Sequence, residues 1–319
     1  MRRSRDVSAL VAAAREGDPR AVARLITLVE SGDELLAEVA AALAPHTGKA
    51  QVVGLTGAPG VGKSTTTNEL VRALRGEGHR VGVLAVDPSS PFTGGAILGD
   101  RVRMQDHATD PGVYIRSMSS RGHLGGLAAA TPQAVRVLEG AGCDVVLVET
   151  VGVGQAEVEV ASLADTTVVL LAPGMGDAIQ AVKAGILEIA DVFVVNKADR
   201  DGADATYHDI QGMIGLAERA AGEWRPQVVR AVAGRGEGID DIITAVQKHR
   251  AWLIEHGELR RRREARAAAE VEAIALGTLR ERLGSIRSGT ALRDAAVKVA
   301  AGETDPYAAA ASLVASLRQ

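Results

Sequence analysis

Eight residues near position 60 constrain the fold of this chain more than any other feature. The run contains three glycines and ends in a lysine and a hydroxyl: Gly57, Ala58, Pro59, Gly60, Val61, Gly62, Lys63 and Ser64. An apolar stretch over residues 51–56 precedes it, and residues 64–70 have the composition of a helix start. This order of strand, glycine-rich loop and helix predicts a P-loop, which binds phosphate groups.

Each residue type in the run suits that role. Glycine tolerates the backbone angles that turn N–H groups inward, and the N-terminus of the following helix adds positive potential. We expect Lys63 to contact the β- and γ-phosphates and to act in catalysis, and Ser64 to ligate Mg²⁺. Residues 57–65, which include Thr65 in the first helical turn, form the predicted phosphate-binding set.

From residue 51 onward, short apolar runs alternate with longer helical segments, which is typical of a mostly parallel central sheet flanked by helices. Hydrophobic residues make up 46% of the 319 residues but aromatic ones only 2%, so the core is built mainly from Val, Leu, Ile and Ala. The predicted strands are residues 51–56, 80–86, 113–117, 144–149, 166–172, 192–196 and 227–231.

The remaining segments predict helices. Residues 6–45 have the pattern of two or three short helices, with Asp18 and Pro19 as a start signal, and Asp305 and Pro306 open a last Ala-rich helix. We therefore expect an N-terminal helical extension at 1–48, a P-loop domain at 49–256 and a C-terminal helical arm at 257–319.

Charge and cysteine content restrict the partners and the compartment. A net charge of −4 provides no general attraction to nucleic acid or to anionic membranes. The single cysteine, Cys143, cannot form an internal disulfide or a cysteine-based metal site, and we expect it to fill the core at the start of a strand. Apolar runs of about 18 residues are missing from the sequence. These features predict a cytoplasmic protein that binds neither nucleic acid nor membranes.

Three carboxylates are candidates for the magnesium site beside Ser64. Glu149 closes an apolar run and precedes Gly152 by three residues, which is the layout of a second metal-binding motif whose glycine N–H contacts the γ-phosphate. Asp87 follows a predicted strand, although a plain turn cap is the alternative for it. Asp100 lies in the long stretch between Asp87 and Pro111, rich in Gly, Asp, Ser and Pro, which we interpret as a switch loop.

A guanine-type base reader is predicted at Asn196, Lys197, Ala198 and Asp199, which come directly after the apolar run at 192–195, at the carboxyl end of the predicted strand 192–196. Open α/β sheets bind ligands at this end of their strands. Asp199 can accept hydrogen bonds from both N1–H and the exocyclic amine of guanine, whereas adenine has no such donor pair. After the last predicted strand, the backbone of Ala231, Val232 and Ala233 is a further candidate for contact with the base.

The sequence has no glutamine at the position directly after Gly152, where one is expected for hydrolysis. Small signalling GTPases place a glutamine after the switch glycine to orient the attacking water, whereas Val153 stands here and Gln155 lies two residues further on. We therefore expect slow intrinsic turnover that a partner stimulates. Spacing alone does not assign the group that offsets transition-state charge; the candidates are Arg101, Arg103, Arg121 and Lys183.

These motifs, at residues 57–64, 86–91, 149–155 and 196–199, closely resemble those of the MeaB/MMAA/ArgK family of GTPases, over essentially the whole chain. The resemblance implies a GTP-hydrolysing chaperone that gates adenosylcobalamin loading and protects or reactivates methylmalonyl-CoA mutase or a related acyl-CoA mutase. It also implies GTP/GDP and Mg²⁺ as cofactors, and a homodimer formed through the C-terminal arm.

The resemblance also assigns roles to individual residues. It places Asp87, Asp100 and Glu149 around the magnesium ion and the nucleophilic water. Residues 173–183 resemble a third switch of the family, in which Asp177, Gln180 and Lys183 would couple partner binding to hydrolysis. Without the family, this segment is interpreted only as a glycine-rich turn that enters an amphipathic helix.

Two other functions compete with this one. A nickel metallochaperone GTPase uses a similar switch, but such proteins usually carry a His-rich tract or a cysteine pair, whereas this chain has seven scattered histidines and one cysteine. A ParA-like partitioning ATPase would need a lysine at the position of Ala58, and it would have no use for Asp199.

Overall fold

The structure is a computed structural model that describes residues 6–32, 34–87, 105–107, 109–119, 130–150, 156–174, 187–217, 219–220, 222–288 and 290–316. The chain forms two compact units, divided between Arg260 and Arg261. None of the helices in the described ranges combines the length and the apolar character needed to cross a membrane.

The first unit is built on a parallel sheet of seven strands in the order β3-β2-β4-β1-β5-β6-β7 among the described residues. The strands are β1 Gln51–Thr56, β2 Val81–Asp87, β3 Val113–Ser119, β4 Val145–Thr150, β5 Thr166–Leu171, β6 Val192–Asn196 and β7 Gln227–Ala231. The predicted strands are confirmed, since three have the predicted bounds, β3 and β5 differ by two residues and one residue at one end, and β2 and β4 are each shifted by one residue.

Helices cover both faces of this sheet. Apart from a single short turn at Leu187–Ile189, the α-helices described in the first unit are α1 Val7–Arg15, α2 Pro19–Ser31, α3 Leu36–Leu43, α4 Lys63–Gly76, α5 Thr131–Gly140, α6 Ala156–Leu163, α7 Ala203–Leu216 and α8 Ile239–Glu255. Because successive side chains of a strand point to opposite faces, Val52 packs with the cluster of α1 to α3, α5 and α6, whereas Val53 packs with α4 and α8. Strands buried on both faces explain why their sequences are continuous apolar runs.

The N-terminal helices belong to the core of the first unit. Val7, Leu25 and Leu43 are at most 1% exposed and share one apolar cluster with Leu84 of β2 and Leu138 of α5. The predicted helix start at α2 is also present, because the Asp18 carboxylate accepts a hydrogen bond from the Arg20 N–H and Pro19 occupies the first turn.

Helix α4, which begins with the last residues of the glycine-rich run, is anchored at its other end by an ion pair. The Arg75 guanidinium donates from Nε and Nη2 to the two oxygens of Asp110, each at 2.9 Å, and from Nη1 to the His79 carbonyl at 2.6 Å. The hydrogen bonds from Arg75, followed by that from the Gly112 N–H, lower the pKa of Asp110. This pair connects the C-terminal turn of α4 to the segment that enters β3.

The second unit is helical. It contains α9 Glu258–Ser288, whose first three residues belong to the first unit, together with α10 Thr290–Ala300 and α11 Pro306–Ser316. The start of α11 follows the predicted pattern, since the Asp305 carboxylate accepts hydrogen bonds from the N–H groups of Tyr307 and Ala308. Large apolar side chains are exposed in this unit: Val271, Ile274, Leu276, Leu279, Leu292, Val297, Tyr307 and Val314.

Replacement of Asp110 tests the anchor of α4. Asp110→Asn keeps the shape but removes the charge, and we expect the free energy of unfolding to fall by about 1 kcal/mol at pH 7, a modest value because the pair is partly exposed. Since the folded state lowers the pKa of this carboxyl, its stabilisation is complete above the unfolded value of about 3.9 and is lost as pH falls through the lower folded pKa.

Urea unfolding of the intact chain at pH 7 and at pH 3 measures this effect. The matched control is Asp106→Asn, because Asp106 is 68% exposed and lies 3.6 Å from Arg72. Equal destabilisation by the two variants at pH 7 would show that Arg75–Asp110 contributes no more than an ordinary surface pair.

Candidate functional site

The glycine-rich run forms the loop between β1 and α4, at the carboxyl edge of the sheet. Gly57 and Gly62 have φ angles of 141° and 100°, which other residues rarely adopt. A Cβ atom on Gly57 would lie 2.3 Å from the Leu170 carbonyl oxygen, and one on Gly62 would lie 2.4 Å from Asn196 Nδ2. Glycine is therefore required at both positions by backbone conformation and by close neighbours.

Lys63 folds back over this loop. Its side chain is largely buried, with the residue 7% exposed, and Nζ donates to the carbonyl oxygens of Gly57 at 2.6 Å and Ala58 at 3.1 Å. A buried ammonium group is costly unless acceptors surround it. The loop backbone supplies these acceptors and holds the positive charge at the N-terminus of α4, where an anion is favoured.

Ser64 and Glu149 meet beside Lys63. The Ser64 hydroxyl donates to Glu149 Oε1 at 2.6 Å, and Glu149 is 1% exposed. Strand pairing brings them together, because Glu149 lies opposite Leu55 in the register of β4 and β1, so that it projects at the start of the glycine-rich loop. Hydroxyl and carboxylate oxygens are ligands that Mg²⁺ prefers, so these two residues fit a magnesium ion.

The Asn196 amide joins three loops. Its Nδ2 donates to the Val61 carbonyl at 2.8 Å, and its Oδ1 accepts from the Ala233 N–H at 3.0 Å. Asn196 is 2% exposed and pairs with Ala231 in the register of β6 and β7. One side chain thus holds the glycine-rich loop, the end of β6 and the loop after β7 together.

Lys197 and Ala198 add two further connections. Lys197 is the only non-glycine residue of the described ranges with a positive φ, at 57°, and its Nζ donates to the Gly60 carbonyl at 2.6 Å. The Ala198 N–H donates to the Ala231 carbonyl at 3.0 Å. The left-handed turn at Lys197 therefore sends its side chain across the glycine-rich loop while the following residues turn towards β7.

Asp199 lies at the outer side of this arrangement, with 34% of its side chain exposed. Its Oδ2 is 3.3 Å from Arg235 Nη2. Sequence reasoning did not identify Arg235. Arg235 comes two residues after Ala233. Because the loop at 231–233 is predicted to contact the base, this spacing could have indicated that Arg235 lies near Asp199.

The structure thus brings together residues 57–64, Glu149, residues 196–199 and residues 231–233 at one edge of the sheet. Thr65 is exposed in the first turn of α4, and Asp87 ends β2 opposite Ser119, although its side chain is outside the described part. Five other predicted site residues lie outside the described ranges: Asp100, Gly152, Asp177, Gln180 and Lys183.

Together, the sheet with flanking helices and the loop between β1 and α4 define a P-loop NTPase. The family model described as "Methylmalonyl Co-A mutase-associated GTPase MeaB" matches residues 22–287, and the chain belongs to this family.

Individual relatives agree with this assignment. A putative GTPase of Pyrococcus abyssi is 48% identical over 307 residues, which are 95% of this chain and 94% of the relative. GTPase ArgK of Escherichia coli is 40% identical over 257 residues, 78% of each chain. The mitochondrial methylmalonic aciduria type A homolog of Mus musculus is 41% identical over 215 residues, 66% of this chain and 52% of that protein.

A solved structure supports the fold. The crystal structure of LAO/AO transport system kinase aligns with a TM-score of 0.73 at 28% identity, and the alignment covers 100% of both chains. The fold class expected from the sequence, a P-loop NTPase with a parallel sheet and flanking helices, is confirmed.

Replacement of Asn196 tests the junction of the three loops. Asn196→Ala leaves the Val61 carbonyl and the Ala233 N–H without their buried partner, so we expect the free energy of unfolding to fall by about 2 kcal/mol. The other asparagine of the chain, Asn68, serves as the matched control. Its Oδ1 has no hydrogen-bond partner within the described part of the chain and its Nδ2 reaches Glu69 only at 3.5 Å, so Asn68→Ala should cost under about 1 kcal/mol.

Chemical denaturation of both variants measures the difference. A cost for Asn196→Ala no larger than that for Asn68→Ala would contradict the role of Asn196 as the connection between the loops.

Proposed function

We propose that this chain binds GTP and hydrolyses it to GDP and phosphate with the help of Mg²⁺. The observation that carries the proposal is the buried group of Lys63, Ser64 and Glu149, joined by Asn196 to the loop that carries Asp199. Membership of a family described as GTPases, and relatives named as GTPases, support it.

The phosphates would lie in the loop of residues 57–64. Lys63 Nζ is held over the loop by its contacts to the carbonyl oxygens of Gly57 and Ala58, and with GTP bound it would donate to a β- or γ-phosphate oxygen. The N–H groups of the loop and of the first turn of α4, including Ser64 and Thr65, would donate to the α- and β-phosphates. Lys63 would thereby stabilise charge that develops during hydrolysis.

Ser64 and Glu149 would hold the magnesium site, with Asp87 and Asp100 as the further carboxylates. The bound ion supplies charge neutralisation at the β- and γ-phosphate oxygens. The Ser64 hydroxyl would turn one oxygen lone pair towards the ion, and Glu149 would accept from a water molecule or coordinate directly. Gly152 would donate its N–H to the γ-phosphate.

Asp199 would select guanine through its carboxylate, which accepts from N1–H and the exocyclic amine. The Lys197 stem, held over the loop by its bond to Gly60, would line one side of the base, and Asn196 would fix the loop. The backbone of Ala231, Val232 and Ala233 would complete the base site. An adenine base would leave the Asp199 carboxylate without its two donors, which costs roughly a few kcal/mol.

An exchange at Asp199 changes which base is accepted. Asp199→Asn presents an amide N–H where the carboxylate stood, so it suits the C2 carbonyl of xanthine and conflicts with the C2 amine of guanine. We expect the affinity for GDP to fall by about a hundredfold and the affinity for xanthosine diphosphate (XDP) to rise by about a hundredfold. Equilibrium titration of both nucleotides measures this exchange, with Asp201→Asn as the control because Asp201 is exposed two residues away.

An unchanged preference for GDP in Asp199→Asn would contradict the role of Asp199 as the base reader. If the variant bound neither GDP nor XDP while keeping the unfolding temperature of the parent chain, that result would also contradict the role of Asp199 as the base reader.

The biological role proposed for this GTPase activity is that of a chaperone for an acyl-CoA mutase. We propose that the GTPase cycle gates adenosylcobalamin loading and protects or reactivates methylmalonyl-CoA mutase or a related enzyme. The family description names a mutase association, and this match favours the mutase over nickel delivery as the client process. The proposed setting is the cytoplasm, with a homodimer formed through the arm at 257–319, where Val271, Ile274 and Val297 are more than half exposed.

Hydrolysis is proposed to be slow in the isolated chain and faster with the mutase. Val153 occupies the place of the usual glutamine, and the segment with Asp177, Gln180 and Lys183 would respond to the partner. The test measures phosphate release from GTP with and without purified methylmalonyl-CoA mutase. We expect stimulation by at least about tenfold, and no turnover from Lys63→Ala in either condition.

Nucleotide-dependent capture of the mutase on the immobilised chain accompanies this assay. If the mutase neither binds nor stimulates while GTP is still hydrolysed, the chaperone proposal fails and the GTPase proposal stands. Retention of nickel at a stoichiometric ratio in place of the mutase would support the metallochaperone alternative.

A further inference from the structure

A cavity of about 450 Å³ lies at the amino ends of β1 and β4, at the opposite edge of the sheet from the P-loop. Its walls are apolar side chains of the sheet and of two helices, among them Val145 of β4, Leu74 of α4 and Val246 of α8. This volume lies within the range of about 300–1,000 Å³ that is usual for small-molecule sites. Nothing in the proposed GTPase mechanism uses this edge of the sheet.

A buried amide lies at the base of this cavity. Gln51, the first residue of β1, lines the cavity and is 5% exposed. Its Oε1 accepts a hydrogen bond from Arg250 Nη1 at 3.2 Å, whereas its Nε2 has no hydrogen-bond partner among the residues that the structure describes. A buried donor without a partner destabilises the folded chain, so a ligand that brings an acceptor to Gln51 Nε2 would gain a favourable hydrogen bond.

The charges around the cavity favour an anionic acceptor. Lys49 and Arg250 contribute positive charge to its lining, and Arg250 forms no salt bridge with any described residue. The His79 ring also lines it and lies 3.5 Å from a Glu77 oxygen. The acidic side chain there, Asp144, is engaged by the Arg80 N–H at 2.7 Å and lies 3.9 Å from His79 Nδ1. Burial raises the pKa of the Cys143 thiol to about 12, so this lining residue adds no negative charge at neutral pH.

We propose that this cavity binds a small amphipathic carboxylate, with the carboxylate at Gln51 and Arg250 and the apolar body against α4 and α8. One carboxylate oxygen would accept from Gln51 Nε2 and the other from a free N–H of Arg250, whose orientation is already set by its bond to Gln51 Oε1. The apolar body would cover Leu74 and Val246. The neutral amide beside a single guanidinium suits a monocarboxylate better than a doubly charged phosphate ester.

Isothermal titration of the intact chain tests the site with 4-phenylbutyrate and octanoate as probes. The corresponding neutral amides, 4-phenylbutyramide and octanamide, have nearly the same shape without the charge. We expect saturable binding of the acids and at least about tenfold weaker binding of the amides. Binding of the acids should weaken as salt is added, because part of the attraction is electrostatic.

Two variants test the proposed contacts to the carboxylate, and a third serves as the control. Arg250→Ala should weaken carboxylate binding by about tenfold, and Gln51→Leu by about fivefold. Lys248→Ala is the matched control, since Lys248 lies on the same helix, is exposed and does not line the cavity, and it should leave the affinity unchanged. Gln51→Leu removes a buried donor that has no partner among the described residues, and this gain offsets the lost hydrogen bond from the partly exposed Arg250, so its unfolding temperature should stay close to that of the parent chain.

The proposal is overturned if neither acid gives saturable heat, or if the amides bind as well as the acids. It is also overturned if Lys248→Ala weakens binding as much as Arg250→Ala, because the attraction would then come from the general charge of α8. Because GTP turnover and nucleotide binding are measured separately, failure at this cavity leaves the proposed GTPase function untouched.

Discussion

The buried amide of Asn196 is the contact on which the candidate site depends. Its donor and acceptor are both used, one by the Val61 carbonyl of the P-loop and the other by the Ala233 N–H after β7. Hydrogen bonds between buried groups strengthen in low dielectric and become costly when one partner is lost. The glycine-rich loop and the proposed guanine reader are therefore held together through Asn196.

The order of the strands places the parts that Asn196 connects. β1 lies at the centre of the sheet, with β4 on one side and β5 on the other, and ligands of open α/β sheets bind where the chain turns from one side to the other. Glu149 comes from β4 on one side, and Asn196 comes from β6 on the other. Helix α4 connects both edges of the sheet, since Lys63 lies in the P-loop and Leu74 lines the cavity at the opposite edge.

The sequence predicted the elements better than the contacts between them. Apolar runs bounded by glycine and charged residues located all seven strands, and the P-loop pattern located Lys63 and Ser64, because both signals are local. Register is not local, so the hydrogen bond from Ser64 to Glu149 and the pair of Arg235 with Asp199 required the structure. The cavity at Gln51 could not be predicted from the sequence either, because its lining residues come from β1, β4, α4 and α8, which are far apart along the chain.

We propose that Asp199 and the P-loop act together as one guanine-nucleotide site. Equilibrium titration of the unmodified chain with GDP and with ADP, in the presence of Mg²⁺, is the decisive experiment. We expect GDP to bind at least about a thousandfold more tightly than ADP, because only guanine offers two donors to the Asp199 carboxylate. Equal affinities for the two nucleotides would contradict it.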